Sequence, residues 1–128
     1  MLILPETLRT ELLGAAAAAD EVCGLLEGRR AAGAIAVTAF HPAANIAAHP
    51  ADSFAIDPAV QFALQRRLRG SATGVIGCFH SHPNGRAEPS VRDRANGSPD
   101  GWVWLIAAAG GLAAFEAPSF RALTIRSR

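Results

Sequence analysis

The chain has 128 residues, half of them apolar and 18% charged, with a formal net charge of +1. This length and composition fit one globular domain over residues 1–128 with enough apolar residues for a real core, and they exclude bulk disorder. The near-neutral charge excludes a strong field for nucleic acid or for an anionic membrane surface.

The chain starts almost directly into Leu2-Ile3-Leu4-Pro5, without a basic lead or a long apolar run, so no signal peptide is read and a soluble cytoplasmic protein is expected. Leu2 to Leu4 suits a short strand. Pro5 and Glu6 suit a helix start, and Leu8, Leu12 and Ala15–Ala16 continue at helical spacing, which predicts an amphipathic helix over 5–19. Glu21 to Leu26 reads as a buried strand closed by Gly28. It is predicted to form a hairpin with a strand carrying Ile35, Val37 and Phe40 through the turn Arg29–Gly33. A loop is expected over 41–52, with His41 and His49 as surface residues, and then a short strand with Phe54 and Ile56 alternating.

Asp57-Pro58 is a helix-start pair, Val60, Leu64 and Leu68 recur every four residues, and Gly70 is the stop. Thr73 to Phe79 reads as a central strand covered on both faces. Residues 81–101 form a long polar loop, and a loop of that length in a small domain is functional or disordered. Strands are expected at Trp102–Ala108, Gly111–Glu116 and Phe120–Arg126. Alternating helices and strands in this order predict an α/β sandwich with a mixed sheet. Cys23 and Cys78 sit far apart in apolar runs and form no CxxC, so both are read as buried structural thiols.

The chemistry concentrates at the end of the central strand. His80 and His82 stand at i and i+2, so both imidazoles face one side of a pleated strand. Two such His with a third N or O ligand make the pattern of catalytic zinc, which keeps a fourth position for water. Asp93 is the expected third ligand, returned by a loop that Pro83, Gly85 and Pro89 shape. Glu21 is the candidate carboxylate for moving the proton of the attacking water, and Ser90 the candidate donor to the oxyanion. Ser90 and Asp93 also form an S-x-x-D capping box, which by itself accounts for both residues and is also compatible with ligation.

Together these residues resemble the JAMM motif of the MPN+ metallopeptidases. The motif reads here as an upstream Glu21, then His80-Ser81-His82-Pro83, the six residues Asn84 to Pro89, Ser90, Val91-Arg92 and Asp93. Glu21 to Gly28 resembles the family's E-x-C-G-L-L-x-G segment, and Asn45 with Phe54 to Pro58 resembles the segment before its second helix. The resemblance implies a cytidine-deaminase-like α/β/α sandwich. It implies zinc held by His80, His82 and Asp93, Glu21 as general acid/base, and Ser90 as oxyanion donor. The implied reaction is hydrolysis of an amide or isopeptide bond. Small stand-alone bacterial relatives imply the Gly-Gly tail of a ubiquitin-like sulfur-carrier protein as substrate and partner.

The chain departs from the family in having Ala-Ala-Asp before Glu21, where many relatives have a Pro close by, and it lacks the long insertions of the eukaryotic deubiquitinases. Two other functions fit the same residues: a zinc peptidase of cell-wall or phage-tail type, and a non-catalytic MPN scaffold. A scaffold would be expected to have lost ligands, and here all are present. A deaminase is excluded by the absence of H-x-E with P-C-x-x-C.

Overall fold

The computed structural model describes residues 1–83 and 85–128; Asn84, in the expected 81–101 loop, lies outside the described residues. The first strand, β1 (Leu2–Leu4), buries Leu2 and Leu4 completely. Helix α1 (Glu6–Gly14) follows with Glu6 in its first turn and Leu12 buried, then tightens into a 3₁₀ turn over Ala15–Ala17. It stops short of the expected residue 19. The alanines would sustain it, but Ala18 is extended and Glu21 N–H donates to the carbonyl of Pro50 at 2.7 Å, so tertiary anchoring overrides local propensity.

Strands β2 (Cys23–Ala31) and β3 (Ala34–Ala43) form an antiparallel hairpin. Ala32 and Gly33 both have positive φ, 51° and 77°, the signature of a two-residue turn that matches strand twist. The turn is therefore tighter than the expected Arg29–Gly33, and β3 runs on through His41. Contrary to its expectation as an unpartnered surface residue, the His41 ring lies 2.8 Å from Glu27 Oε1, and Glu27 also accepts from Thr73 Oγ1 at 2.6 Å.

The short strand expected at Phe54–Ile56 does not form. The segment is held instead by Asn45, whose Oδ1 accepts from Ala55 N–H, and by Ile46 N–H donating to the Ala55 carbonyl. Its hydrogen bonds go to a side chain and a loop rather than to a ladder. Helix α2 (Pro58–Arg67) starts where expected, with Asp57 accepting from Ala59 N–H at 2.9 Å. Leu64 is buried, whereas Val60 is 41% exposed, so the predicted inward face narrows to the C-terminal half of the helix.

Strand β4 (Gly74–Ser81) lies centrally, antiparallel to β2 and parallel to β5 (Val103–Ala108). Between them is the five-residue helix α3 (Val91–Ala95). Strand β6 (Gly111–Glu116) pairs with β5. The single strand expected over 120–126 is two, β7 (Arg121–Leu123) and β8 (Ile125–Ser127), split at Thr124. The sheet order is β7-β6-β5-β4-β2-β3-β1-β8, so its two edge strands are one residue apart in the chain. A sheet whose edges are joined that closely must roll up on itself, which leaves little edge to aggregate. Leu2 N–H donates to the Thr124 carbonyl at 2.8 Å, which ties β1 to the link between the two edge strands.

Inside the curl, Leu12 of α1 packs with Leu26, Val37, Phe79, Val103, Leu105 and Leu123 from successive strands. On the other face Cys78, Trp104 and Phe120 form a smaller cluster with Phe54 and Trp102. Helices thus pack on a mixed sheet, as the α/β reading expects. No helix among the described residues is long and apolar enough to cross a membrane.

Two properties of this core are measurable. At Gly77 a Cβ would fall 2.0 Å from the backbone oxygen of Val103, inside the β4–β5 pairing, whereas at Gly14 it would meet open space. Gly77→Ala is expected to destabilise by about 2–3 kcal/mol or more through overpacking. Gly14→Ala, in helical backbone, is expected to be neutral or stabilising by up to about 1 kcal/mol. Denaturant melts of both variants check the contrast. Burial pushes the Cys23 thiol up to about 11 and the Cys78 thiol to about 12. Both are therefore expected to resist alkylation in the native protein at neutral pH and to label fully on unfolding; rapid native labelling by mass spectrometry would contradict the structural reading.

Candidate metal centre

The site grows out of the end of β4. His80 is the last position of that strand on its Trp104 face, and Ser81 points the other way. His82 lies just past the strand, yet its N–H donates to the Ala107 carbonyl at 2.8 Å, so the pleat continues and both imidazoles stay on one face. His80 is fully buried. Phe54 stacks on it with ring centroids 4.3 Å apart and 18° between planes, and Trp104 meets it edge-on at 5.8 Å. The irregular 54–56 segment therefore contributes a wall of the site.

Asp93 arrives on α3. Ser90 Oγ accepts from Asp93 N–H at 3.0 Å, and Asp93 Oδ2 accepts from Ser90 N–H at 2.8 Å. The capping box is formed, and it aims the Asp93 carboxylate at the histidines. His80 Nε2 lies 2.8 Å from His82 Nε2 and 3.1 Å from Asp93 Oδ2, and His82 Nε2 lies 3.5 Å from the same oxygen. Tetrahedral zinc with bonds of about 2.0–2.1 Å would hold its ligand atoms about 3.3 Å apart. The three atoms bracket that spacing. Glu21, His80 and His82 also group, with ligand atoms all within 4.8 Å of one another. Asp93 Oδ2 lies nearer to both rings than that limit, and the Glu21 carboxylate stands beside them.

Hydrogen bonding and burial set the protonation of these side chains. His82 Nδ1 lies 2.8 Å from the Arg86 carbonyl, which can only accept, so Nδ1 carries a proton; in the neutral ring Nε2 then offers a lone pair, and in the charged ring it donates to Asp93. His80 Nδ1 is buried without a hydrogen-bond partner among the described residues, and aromatic walls hold that ring instead. Burial pushes the His80 pKa down and favours neutral imidazole, against the pull of Asp93. Hydrogen bonding to Asp93 raises that of His82. Burial works against the Asp93 charge, but hydrogen bonds from His80, His82 and the Ser90 backbone overcome it and hold the carboxyl well below its ordinary range. Glu21 is the opposite case: burial, with a contribution from Asp93 and against His82, raises it to about 7.

Glu21, His82 and Ser90 line one cavity of about 230 Å³ with Ala51, Asp52, Pro83 and Gly85. The Ser90 hydroxyl accepts from Asp93 N–H, and among the described residues its O–H has no acceptor, which leaves it able to donate. The structure thus brings together all five residues picked out in the sequence. What sequence reasoning missed are the supports: the Phe54 ring, the Arg86 carbonyl and the Ser81 hydroxyl, which accepts from Val22 N–H at 2.8 Å. Of these only Phe54 left a signal, as an aromatic residue in the segment before α2.

Comparisons with known proteins identify the family and the fold. The family model described as prokaryotic homologs of the JAB domain matches residues 7–125. A desampylase from Haloferax volcanii is 35% identical over 86 residues, which is 67% of this chain and 60% of that protein. The solution structure of a Desulfitobacterium hafniense protein superposes with a TM-score of 0.84 at 27% identity, covering 100% of this chain and 93% of the other. A JAB1/MPN domain protein from Archaeoglobus fulgidus shares the fold, with a TM-score of 0.59 at 16% identity over 100% of this chain and 97% of its own. With the match covering nearly its whole length, the chain belongs to the prokaryotic JAB/MPN family.

Proposed function

We propose that the chain is a zinc-dependent isopeptidase that hydrolyses an amide bond at the C-terminal Gly-Gly tail of a ubiquitin-like protein, with a sulfur carrier as the partner. The observation that carries this reading is the convergence of His80, His82 and Asp93 beside a cleft that Glu21 and Ser90 also line. His80, His82 and Asp93 would hold the zinc. When bound, zinc acidifies water from a pKa of 15.7 to about 7 and polarises a carbonyl.

The remaining steps belong to the protein. Glu21, with its carboxyl raised to about 7, takes the proton of the attacking water and delivers it to the leaving amine nitrogen. The water oxygen bonds to the carbonyl carbon, the C–N bond breaks, and a carboxylate and an amine leave. The Ser90 O–H donates to the carbonyl oxygen as it gains charge. The likeness to a desampylase supports the same substrate class. A scaffold without chemistry would have no use for a buried carboxyl kept beside three converging ligand atoms.

The test compares zinc-loaded wild type with Glu21→Gln on a fusion joining a Gly-Gly-tailed ubiquitin-like carrier to a reporter amine. Wild type is expected to cleave after the second glycine. The variant is expected to retain its zinc and lose about 10²- to 10⁴-fold in rate, the range of general acid–base catalysis. Undiminished turnover by Glu21→Gln would remove that residue from the mechanism. Cleavage of unrelated peptides in place of the Gly-Gly fusion would replace the substrate assignment.

A further inference from the structure

Glu21 stands outside the sheet ladder, since β2 begins only at Cys23. No strand register therefore sets where its carboxylate goes, although it must sit accurately against three ligand atoms supplied by β4 and α3. Its backbone is fixed by two side chains from elsewhere in the chain.

On one side Asn45 Nδ2 donates to the Glu21 carbonyl at 2.9 Å and to the Ser53 carbonyl at 3.0 Å. Its Oδ1 accepts from Ala47 N–H and Ala55 N–H, each at 3.1 Å. The amide uses both donors and both lone pairs, so only one orientation satisfies it. Asn45 thereby ties Glu21 to the 45–55 segment, which also supplies the Pro50 carbonyl that accepts from Glu21 N–H. On the other side Ser81 is buried in β4 between the two histidines. Its Oγ accepts from Val22 N–H at 2.8 Å and its N–H donates to the Val22 carbonyl at 2.9 Å. Four hydrogen bonds, two from the 45–55 segment and two from β4, thus clamp the Glu21-Val22 dipeptide between that segment and the strand that carries the imidazoles.

We infer that Asn45 and Ser81 are positioning residues: Asn45 acts through the Glu21 backbone and Ser81 through Val22, and together they set the carboxylate in the cleft without touching the reacting atoms. The inference rests on the acid/base reading of Glu21. A misplacement of about 1 Å costs on the order of 10²-fold in rate. Asn45→Asp is the sharpest probe, because it keeps size and shape but turns a carboxylate oxygen toward the carbonyls of Glu21 and Ser53, which then lose their donors.

The experiment is a double-mutant cycle on the full chain loaded with zinc, using the Gly-Gly fusion and single-turnover rates for wild type, Asn45→Asp, Glu21→Gln and the double variant. Asn45→Asp is expected to keep its zinc and lose about 10- to 100-fold in kcat with KM little changed. In the Glu21→Gln background the same substitution is expected to cost less than about 2-fold, because there is no longer a working carboxylate to misplace. Full additivity of the two losses, or loss of zinc with Asn45→Asp, would overturn the inference while leaving the role of Glu21 intact. Wild-type turnover by Glu21→Gln would instead remove the acid/base reading and the positioning role with it. If Asn45→Asp does not fold, Ser81→Ala, which strips the acceptor from Val22 N–H, enters the same cycle: a loss that vanishes in the Glu21→Gln background supports positioning, and an additive loss overturns it.

Discussion

Two imidazole nitrogens and a carboxylate oxygen held within 3.5 Å of one another direct lone pairs at a common point. Three bare lone pairs there would repel, so the arrangement is favourable only with a proton or a cation among them. The surrounding fold resists relaxation of that contact. His80 cannot swing away because Phe54 covers one face of its ring and Trp104 meets it edge-on. His82 is fixed through the Arg86 carbonyl, and Asp93 through its own capping box. Each donor is thus held by a different element, the condition for a preorganised rather than an induced site.

The same strand joins this chemistry to the hydrophobic core. Along β4 the side chains alternate between the interior of the rolled sheet, where Phe79 packs against Leu26 and Leu105, and the face that carries Cys78, His80 and the aromatic residues. Parallel pairing with β5 places Ile106 beside His80 and Trp104 beside Cys78, so the ring lies between packed neighbours on a central strand. A site on such a strand inherits the rigidity of the core. Parallel pairing of β8 with β1 brings the last strand round to the start of the chain and completes the roll.

How much of this is legible in the sequence follows the range of the signals involved. The His-x-His spacing, the Ser90–Asp93 capping box and the Asp57-Pro58 helix start are local patterns, and the structure shows the geometry each one encodes. The strand expected at Phe54–Ile56 fails because alternation records burial and not hydrogen-bond partners, and those partners sit on Asn45. The division of 120–126 into two strands cannot be read from its residues, since it arises from sheet closure with β1, at the opposite end of the chain. Asn45 is visible as a familiar residue in a familiar segment, but its four hydrogen bonds reach carbonyls and amides that leave no trace in side-chain identity. The end of α1 is hidden for a similar reason: its alanines favour helix, and the tether of Glu21 to Pro50 does not appear in any local pattern.

The claim on which the chemistry stands is that His80, His82 and Asp93 bind one metal ion. Elemental analysis tests it most directly, on wild type beside His82→Ala, after reconstitution with zinc and removal of the excess. One zinc per chain in the wild type, lost in the folded variant, is the predicted result. A folded wild type that retains no zinc would contradict the claim and leave the converging side chains as the remains of a site in a binding scaffold.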